Sequence, residues 1–351
     1  METRGAAPSY PALVGSGLIA STGEEVAKRL LCPRCAIISD TNIAPLLADR
    51  VKQSLTSSGF QSTVITIPPG EKSKTLGQAG AICDQMIAAC LDRQSFVIGL
   101  GGGVIGDISG FVAAIFHRGI PHVQIPTTLL AMVDSSIGGK TGVNTGAGKN
   151  LIGAVHHPSL VIDDLDVLKT LPQREFNQGF AEIIKHAIIS DAEMFDALKD
   201  VDLENLAPLI RRNIEIKSKI VTKDEGDRTG ERALLNFGHT VGHAIERAGD
   251  YREFLHGEAI SLGIVAACDV SIKRAGLPRD QRNGIVDLLQ KFELPTHLPP
   301  NFPREQIFDA LQYDKKFEGG KIRFVVTSGI GSAHLSSEVT VEDIREAFDQ
   351  L

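Results

Sequence analysis

Short apolar runs separated by helical-period segments dominate the first half of the chain. Cys35–Ser39, Thr63–Ile67, Phe96–Leu100, Val123–Ile125 and Leu160–Ile162 read as strands, and helical patterns such as Leu76–Leu91 lie between several of them. Strand–helix alternation of this kind predicts a mostly parallel sheet covered by helices. After about Leu171 the period changes. Phe180, Ile183, Ile184, Ala187 and Ile188 follow helical spacing, and helical patterns continue over Ala207–Val221, Leu234–Ala248, Ala259–Arg274 and Asp280–Phe292. The run Ile322–Thr327 predicts a late hairpin strand, and the proline-rich Pro295–Pro303 a surface connection. The expected layout is an α/β nucleotide-binding type of domain over 1–171, followed by a mainly α-helical domain over 172–351. No internal repeat or low-complexity tract interrupts it.

Composition narrows the function classes. Of 351 residues, 42 % are hydrophobic and 23 % charged, as in a globular protein with a sizeable core. The net charge of -7 argues against nucleic acid or an anionic membrane as the main partner, but not against a small anion in a local basic pocket. No apolar run approaches the ~20 residues of a membrane-spanning helix, and no opening segment has the make-up of a secretory signal. Five cysteines, two of them in Cys32-Pro-Arg-Cys35, form neither a disulfide framework nor the paired CxxC set of a structural zinc site. Reduced thiols in a cytoplasmic protein are the expectation.

Two glycine-rich loops carry candidate chemistry. Phe96–Leu100 leads into Gly101-Gly102-Gly103-Val104-Ile105-Gly106-Asp107 and then a helical pattern. Glycine permits a sharp turn and close approach to a pyrophosphate, and a helix N-terminus favours negative charge. Gly101, Gly103 and Gly106 satisfy GxGxxG, although the acidic ribose partner usual about twenty residues later is missing. Asp40, ending an earlier strand, can take that role. The second loop runs from Asp134 through Gly138-Gly139-Lys140-Thr141 to Gly148-Lys149-Asn150. It lacks the first glycine of a P-loop, since Asp134 stands there, and reads as a mobile loop whose lysines and asparagine suit phosphate or carboxylate.

Three histidines stand close together in Asn236-Phe237-Gly238-His239-Thr240-Val241-Gly242-His243 and His256-Gly257-Glu258. His239 and His243, four apart, share a helix face. Spacing alone offers them as a metal pair with His256 as third ligand and Glu246 as a nearby acid; a catalytic metal typically takes three protein ligands and keeps an open position. Carboxylates from other helices can join such a set. Lys185, one turn after Glu182, and Arg232, one turn before Asn236, add cations, which implies an anionic substrate.

Taken together, these segments resemble the 3-dehydroquinate synthase family of sugar-phosphate cyclases. The resemblance extends from about Asp40 to Thr327. It is densest in Gly101–Asp107, Gln124–Asn150 (QIPTTLLAMVDSSIGGKTGVNTGAGKN), Phe180–His186 (FAEIIKH) and Leu234–Glu246 (LLNFGHTVGHAIE), and His256-Gly257-Glu258 completes it. It implies zinc, with cobalt as an alternative, on Glu182, His239 and His256. It implies NAD contacts at Asp40, Asn42, Gly70, Glu71, Lys72, Lys74, Gly103, Val104, Ile105, Gly106, Asp107, Thr127, Thr128, Lys140 and Lys149. Substrate contacts fall on Asp134, Lys140, Asn150, Lys185, Lys217, Arg232, Asn236, His243 and the Asp314-Lys315-Lys316 segment. Lys217 is matched across a stretch, Asp224–Glu231, one residue longer than the family's usual form, and either Lys315 or Lys316 can be the carboxylate-binding lysine. Arg118 matches an arginine that reaches the neighbouring subunit's active site, which implies a homodimer.

The implied reaction converts 3-deoxy-D-arabino-heptulosonate 7-phosphate to 3-dehydroquinate and phosphate, through transient oxidation by NAD, phosphate elimination, reduction and aldol closure. A related cyclase acting on a neutral sugar phosphate would need no carboxylate partner, so Asn236 and the Lys315-Lys316 pair weigh against it. A metal-dependent polyol dehydrogenase would release NADH and would not need the basic phosphate set. A catalytically dead binding module would not need the complete set of metal, NAD and phosphate residues.

Overall fold

Six apolar runs assemble into one parallel, Rossmann-like sheet in the computed structural model, which describes residues 9–224, 230–250, 252–304, 306–307, 317–318 and 321–351. Its strands are β1 (Ala12–Gly15), β2 (Arg34–Asp40), β3 (Gln61–Ile67), β4 (Ser95–Gly101), β5 (His122–Pro126) and β8 (Leu160–Asp164), in the order β1-β8-β5-β4-β2-β3. Nearly every residue of β2, β4, β5 and β8 is buried, which is why these strands read as continuous apolar runs and not as alternations. The connecting helices include α1 (Thr22–Ala27), α2 (Ala44–Ser57), α3 (Leu76–Ala88) and α4 (Gly103–Ile115). Ile105, Ile108, Phe111 and Val112 of α4 share a core cluster with Ile38, Ile82, Met86 and Val97.

The strand order has a consequence for ligands. From β2 the chain crosses to β3 on one side, and then β4 enters on the other side of β2. The carboxyl ends of β2 and β4 therefore flank a topological switch point, where open parallel sheets bind their ligands. Asp40 ends β2 and the glycine run follows β4.

The segment read as a mobile glycine–lysine loop is an antiparallel hairpin, β6 (Lys140–Thr145) with β7 (Gly148–Val155), preceded by a π-helical turn at Ala131–Ser135. Val143 anchors it in the cluster that holds Phe111 and Val112. Strand β1 is a further element that the apolar pattern did not show.

The chain divides into two units. One takes the chain up to Leu171 together with Leu206–Ile214, and the other takes Pro172–Asn205 and the chain from Glu215 onward. The second unit is mainly helical, with α5 (Gln173–Ser190), α6 (Ala192–Ala197), the later part of α7 (Ala207–Lys223), α8 (His239–Ala248), α9 (His256–Ala275), α10 (Arg279–Lys291) and α11 (Val341–Phe348). It also holds the short strands β9 (Phe317–Glu318) and β10 (Lys321–Ile322), and the pair β11 (Phe324–Thr327) and β12 (Ala333–Ser336). Phe180, Ile183, Ile184, Ala187 and Ile188 are fully buried, and α9 is buried along most of its length.

Two expectations change here. The helical pattern of Leu234–Ala248 is broken: a 3-10 turn over Arg232–Asn236 ends, Gly238 takes a left-handed conformation (φ 77°), and α8 starts at His239. The proline-rich connection has no helix or strand from 295 to 300, but it tucks Thr296, Leu298 and Phe302 inward and is tied by Leu298 N–H to the Leu351 carbonyl at 2.7 Å.

Candidate functional site

Three helices of the second unit bring their candidate residues together because glycine lets their backbones approach. A Cβ on Gly263 would lie 2.0 Å from the Gly238 carbonyl oxygen, and one on Gly257 would lie 2.0 Å from that of Gln178. Each glycine adjoins a candidate ligand or its neighbour: Gly238 precedes His239, and Gly257 follows His256. The start of α9 is fixed further. Gly257 N–H donates to Gln178 Oε1 at 3.1 Å, and the Glu258 carboxylate accepts Leu255 N–H and both Nε and Nη2 of Arg174.

Glu182 on α5 is fully buried and its two oxygens have different partners. Oε2 accepts the Lys185 ammonium, one turn along the same helix. Oε1 has no well-formed hydrogen bond and stands 3.3 Å from His239 Nε2 and 3.6 Å from His256 Nε2. Ligand atoms about 2.1 Å from one tetrahedrally coordinated metal are about 3.4 Å apart. The two distances from Oε1 therefore already have the spacing of ligands on one metal, and one ligand atom from each of the three residues lies within 4.8 Å of the others. The other ring nitrogens face away from it: His239 Nδ1 lies 3.1 Å from the Phe237 carbonyl, and His256 Nδ1 lies 3.4 Å from Glu246 Oε1.

The electrostatics match this division. Burial opposes charge on Glu182, but Lys185 and His239 hold its carboxyl well below the usual carboxylate range. Burial pushes His239 down, against the pull of Glu182. For His256 burial also acts downward, yet the Glu246 and Glu182 carboxylates outweigh it and lift the imidazole to about 10. A proton held between two carboxylates marks a place where a cation is favoured.

His243 packs edge-on to His239 at 5.2 Å between ring centres and stands 6.1 Å from His256. It forms a second group with Glu246 and His256 whose ligand atoms also lie within 4.8 Å. Arg232 is buried and donates its backbone N–H to Asp224 Oδ2 at 3.3 Å; Asn236 ends the same 3-10 turn, and Lys217 is buried on α7. Lys315 and Lys316 lie outside the described residues.

In the first unit, the candidate residues cluster on turns. Asp40 Oδ1 accepts the N–H groups of Asn42 and Ile43, which shapes the turn after β2. Gly103 to Asp107 open α4, whose N-terminus has no side-chain cap, and Ile105 points into the core. A Cβ on Gly106 would meet Gln124 Oε1 at 2.8 Å, so this glycine serves helix–strand packing. Thr127 follows β5, its N–H bonded to the Gly101 carbonyl, and its buried Oγ1 has no hydrogen-bond partner; Thr128 Oγ1 accepts Ala131 N–H. Asp134 lies in the π-helical turn, and exposed Lys140 opens β6 after Gly138 and Gly139.

The Gly70–Lys74 turn and the hairpin hold each other. Lys74 donates to Asp107 and to Asn150 Oδ1, the latter at 2.5 Å. Asn144, which the sequence did not single out, donates its N–H to the Lys74 carbonyl and its Nδ2 to Glu71 Oε1 at 2.7 Å, and accepts Asn150 N–H at 2.9 Å. Gly70 (φ 90°) and Lys72 are exposed, and Lys149 lies on β7. Arg118 is exposed in a left-handed turn of His117, Arg118 and Gly119 after α4. Gln178 was likewise not singled out by the sequence, and Glu246 was read there only as an acid near the histidines. Their signal is three-dimensional, in the ring nitrogen or backbone group each one faces.

Family models described as 3-dehydroquinate synthase N-terminal and C-terminal match residues 64–178 and 179–317. The chain is 44 % identical over 330 residues to the 3-dehydroquinate synthase of Pelobacter propionicus, covering 92 % of this chain and 91 % of that protein. It is 43 % identical over 349 residues to that of Nostoc punctiforme, covering 97 % and 96 %. Among solved structures, the 2-epi-5-epi-valiolone synthase of Streptomyces hygroscopicus, with NAD+ and Zn2+ bound, superposes with a TM-score of 0.89 at 28 % identity, covering 100 % of this chain and 98 % of that one.

Proposed function

The chain belongs to the 3-dehydroquinate synthase family, and from that premise we propose that Glu182, His239 and His256 hold its divalent metal. Its reaction is the family's: 3-deoxy-D-arabino-heptulosonate 7-phosphate is converted to 3-dehydroquinate and phosphate in the shikimate pathway, with NAD and a divalent metal as cofactors. The observation that carries the metal assignment is the Glu182 Oε1 spacing of 3.3 and 3.6 Å to two Nε2 atoms. For NAD, the supports are the switch point at Asp40, the uncapped N-terminus of α4 and the partnerless Thr127 Oγ1.

When bound, the metal supplies Lewis acidity at the substrate's hydroxyls and NAD supplies a two-electron acceptor that is restored within the turnover. The chain's own residues bind and orient. Lys185, held by Glu182, and Arg232 with Asn236 take the substrate's hydroxyls and carboxylate, together with one lysine of the 315–316 pair. Lys140, Asn150 and His243 bind the leaving phosphate, and Asp134 and Lys217 complete the substrate set. The proton lost in elimination goes to an oxygen of the departing phosphate. Asn42, Gly70, Glu71, Lys72, Lys74, Gly103 to Asp107, Thr128 and Lys149 complete the cofactor set.

Arg118 acts in the active site of a second copy, so the working form is a homodimer. Exposed Ile115, Leu151, Ile152 and Val155, in the same unit as Arg118, offer apolar surface for that copy. If so, mixing inactive Arg118→Ala and Lys140→Ala chains restores turnover, because one hybrid site is intact; unchanged inactivity would remove the shared-site reading. A reducing, cytoplasmic location fits five free cysteines, and no helix among the described residues is long and apolar enough to cross a membrane.

The deciding experiment supplies the heptulosonate phosphate, NAD and zinc, and follows phosphate, the carbocyclic product and NADH together. Equal phosphate and carbocycle with no accumulation of NADH is the expected result. Turnover of sedoheptulose 7-phosphate instead, or steady release of NADH, would overturn it.

A further inference from the structure

Each histidine of the proposed metal set has one ring nitrogen turned to Glu182 Oε1 and the other held by a separate acceptor. For His239 that acceptor is the backbone: Nδ1 faces the Phe237 carbonyl at 3.1 Å while Nε2 faces Glu182 at 3.3 Å. For His256 the acceptor is a side chain. Its Nδ1 faces Glu246 Oε1 at 3.4 Å while Nε2 faces Glu182 at 3.6 Å. Glu246 lies on α8 two turns after His239, and its side chain is 3 % exposed.

We propose that Glu246 is a positioning residue for the metal: its carboxylate accepts the Nδ1 proton of His256, fixing the tautomer and ring angle that present Nε2 toward Glu182. The inference rests on the metal assignment made above. A carboxylate behind a ligating imidazole orients the ring and raises its basicity, and losing it typically weakens metal binding about 10–100-fold. Direct ligation by Glu246, in the group with His243 and His256, is the competing arrangement. It would take His256 through Nδ1, and one imidazole cannot give both nitrogens to the same ion, so it would forfeit the triangle centred on Glu182.

The test uses the full chain freed of metal. Zinc affinity is measured by competition with a chromophoric chelator, alongside the visible spectrum of the cobalt-loaded protein, NAD affinity and metal-free melting, for Glu246→Gln, Glu246→Asp and Glu182→Ala. Glu246→Gln should bind zinc about 10–100-fold more weakly, with a shifted cobalt band, unchanged NAD affinity and near-native melting. Excess zinc should restore its kcat, and Glu246→Asp should fall between it and the native chain; if the glutamine variant does not fold, the aspartate variant carries the test. Wild-type zinc affinity and an unshifted cobalt band in Glu246→Gln, with zinc lost in Glu182→Ala, overturn this inference alone. Zinc lost as fully in Glu246→Gln as in Glu182→Ala makes Glu246 a ligand and also overturns it. Native zinc affinity in Glu182→Ala overturns the metal assignment itself.

Discussion

The two candidate regions are built on opposite principles. In the first unit, many cofactor candidates sit on turns or at the helix start that follow strands, and Gly70, Gly103 and Gly106 are themselves exposed or half-buried. Much of what they offer a ligand is backbone. In the second unit, Glu182 and Lys185 are buried side chains, and they meet His239 and His256 only because glycines let α8 and α9 pack closely. The first region recruits peptide groups that any glycine-rich turn can supply; the second depends on convergence of charged groups that would be costly to bury unpaired. Substitutions should therefore affect ligand affinity more than stability in the first region, and both in the second.

The largest expected effect separates the two outright. Glu182→Ala should abolish tight metal binding and lower kcat on the order of a thousandfold or more, since several kcal/mol of transition-state stabilisation depend on the ion. NAD retention, a property of the other region, should stay near that of the native chain. Metal content by mass spectrometry and NAD affinity by fluorescence check both halves. Loss of NAD along with metal would show that the regions are not energetically separate.

Next in size is a matched pair of lysine removals. Lys185→Met leaves the Glu182 carboxylate buried without its cation and should destabilise the metal-free chain by about 3–5 kcal/mol. Lys74 in the first unit is as well buried, but its partner Asp107 keeps 20 % of its side chain exposed and can be solvated. Lys74→Met should therefore cost only about 1.5–3 kcal/mol. Urea titrations of the two variants measure the difference, and equal losses would erase the contrast in burial.

The same contrast explains what the sequence disclosed. Strands buried on both faces appear as continuous apolar runs, and α5 shows its helical period through Phe180, Ile183, Ile184, Ala187 and Ile188. The β6–β7 hairpin stayed hidden because glycines interrupt its alternation. Its packing demands them, since a Cβ on Gly153 would meet the Thr141 carbonyl oxygen at 2.2 Å. Four-residue β1 is too short to show a period. In the second unit, the spacing of His239 and His243 is visible in the sequence, but the group each joins is not. That depends on the left-handed turn at Gly238 and on a carboxylate from a helix far earlier in the chain. The role of Glu246 depends on which ring nitrogen it faces, which no one-dimensional pattern encodes.

Glycine substitutions probe the close packing directly. Gly257→Ala places a methyl group 2.0 Å from the Gln178 carbonyl, a backbone atom that cannot swing aside. It should cost about 3 kcal/mol and weaken metal binding by displacing His256. Gly102→Ala in the first unit meets only the Thr128 side chain, its methyl at 3.2 Å and its Oγ1 at 3.7 Å, and its φ of -72° suits any residue. It should change stability by no more than about 0.5 kcal/mol. Melting curves of the two variants decide this, and a tolerant Gly257→Ala would mean that α5 and α9 can separate without loss.

The smallest expected effect concerns acid. His122 on β5 is buried, stacks on His156 at 5.0 Å, and its Nδ1 has no hydrogen-bond partner. Burial, reinforced by repulsion from His156 and His157, pushes this imidazole down to about 3. Its folded form thus binds fewer protons than the unfolded chain between about 3 and the ordinary 6.5. Its stabilising contribution is complete above the unfolded value and falls as pH drops through it, by about 2 kcal/mol at pH 5. Asp343 in the second unit is the acidic counterpart. Its carboxyl, half of the capping box of α11, is held below the usual carboxylate range; burial opposes this, but bonds from Arg274, Thr340 and Lys273 prevail. Its contribution is present above the ordinary carboxylate value and is lost only as pH falls below that. His122→Asn should accordingly flatten the decline in stability between pH 6.5 and 5, while Asp343→Asn should lower stability at neutral pH and leave that mild-acid decline in place. Urea midpoints across this range test the order, and a steep decline that survives in His122→Asn would move mild-acid sensitivity out of the sheet.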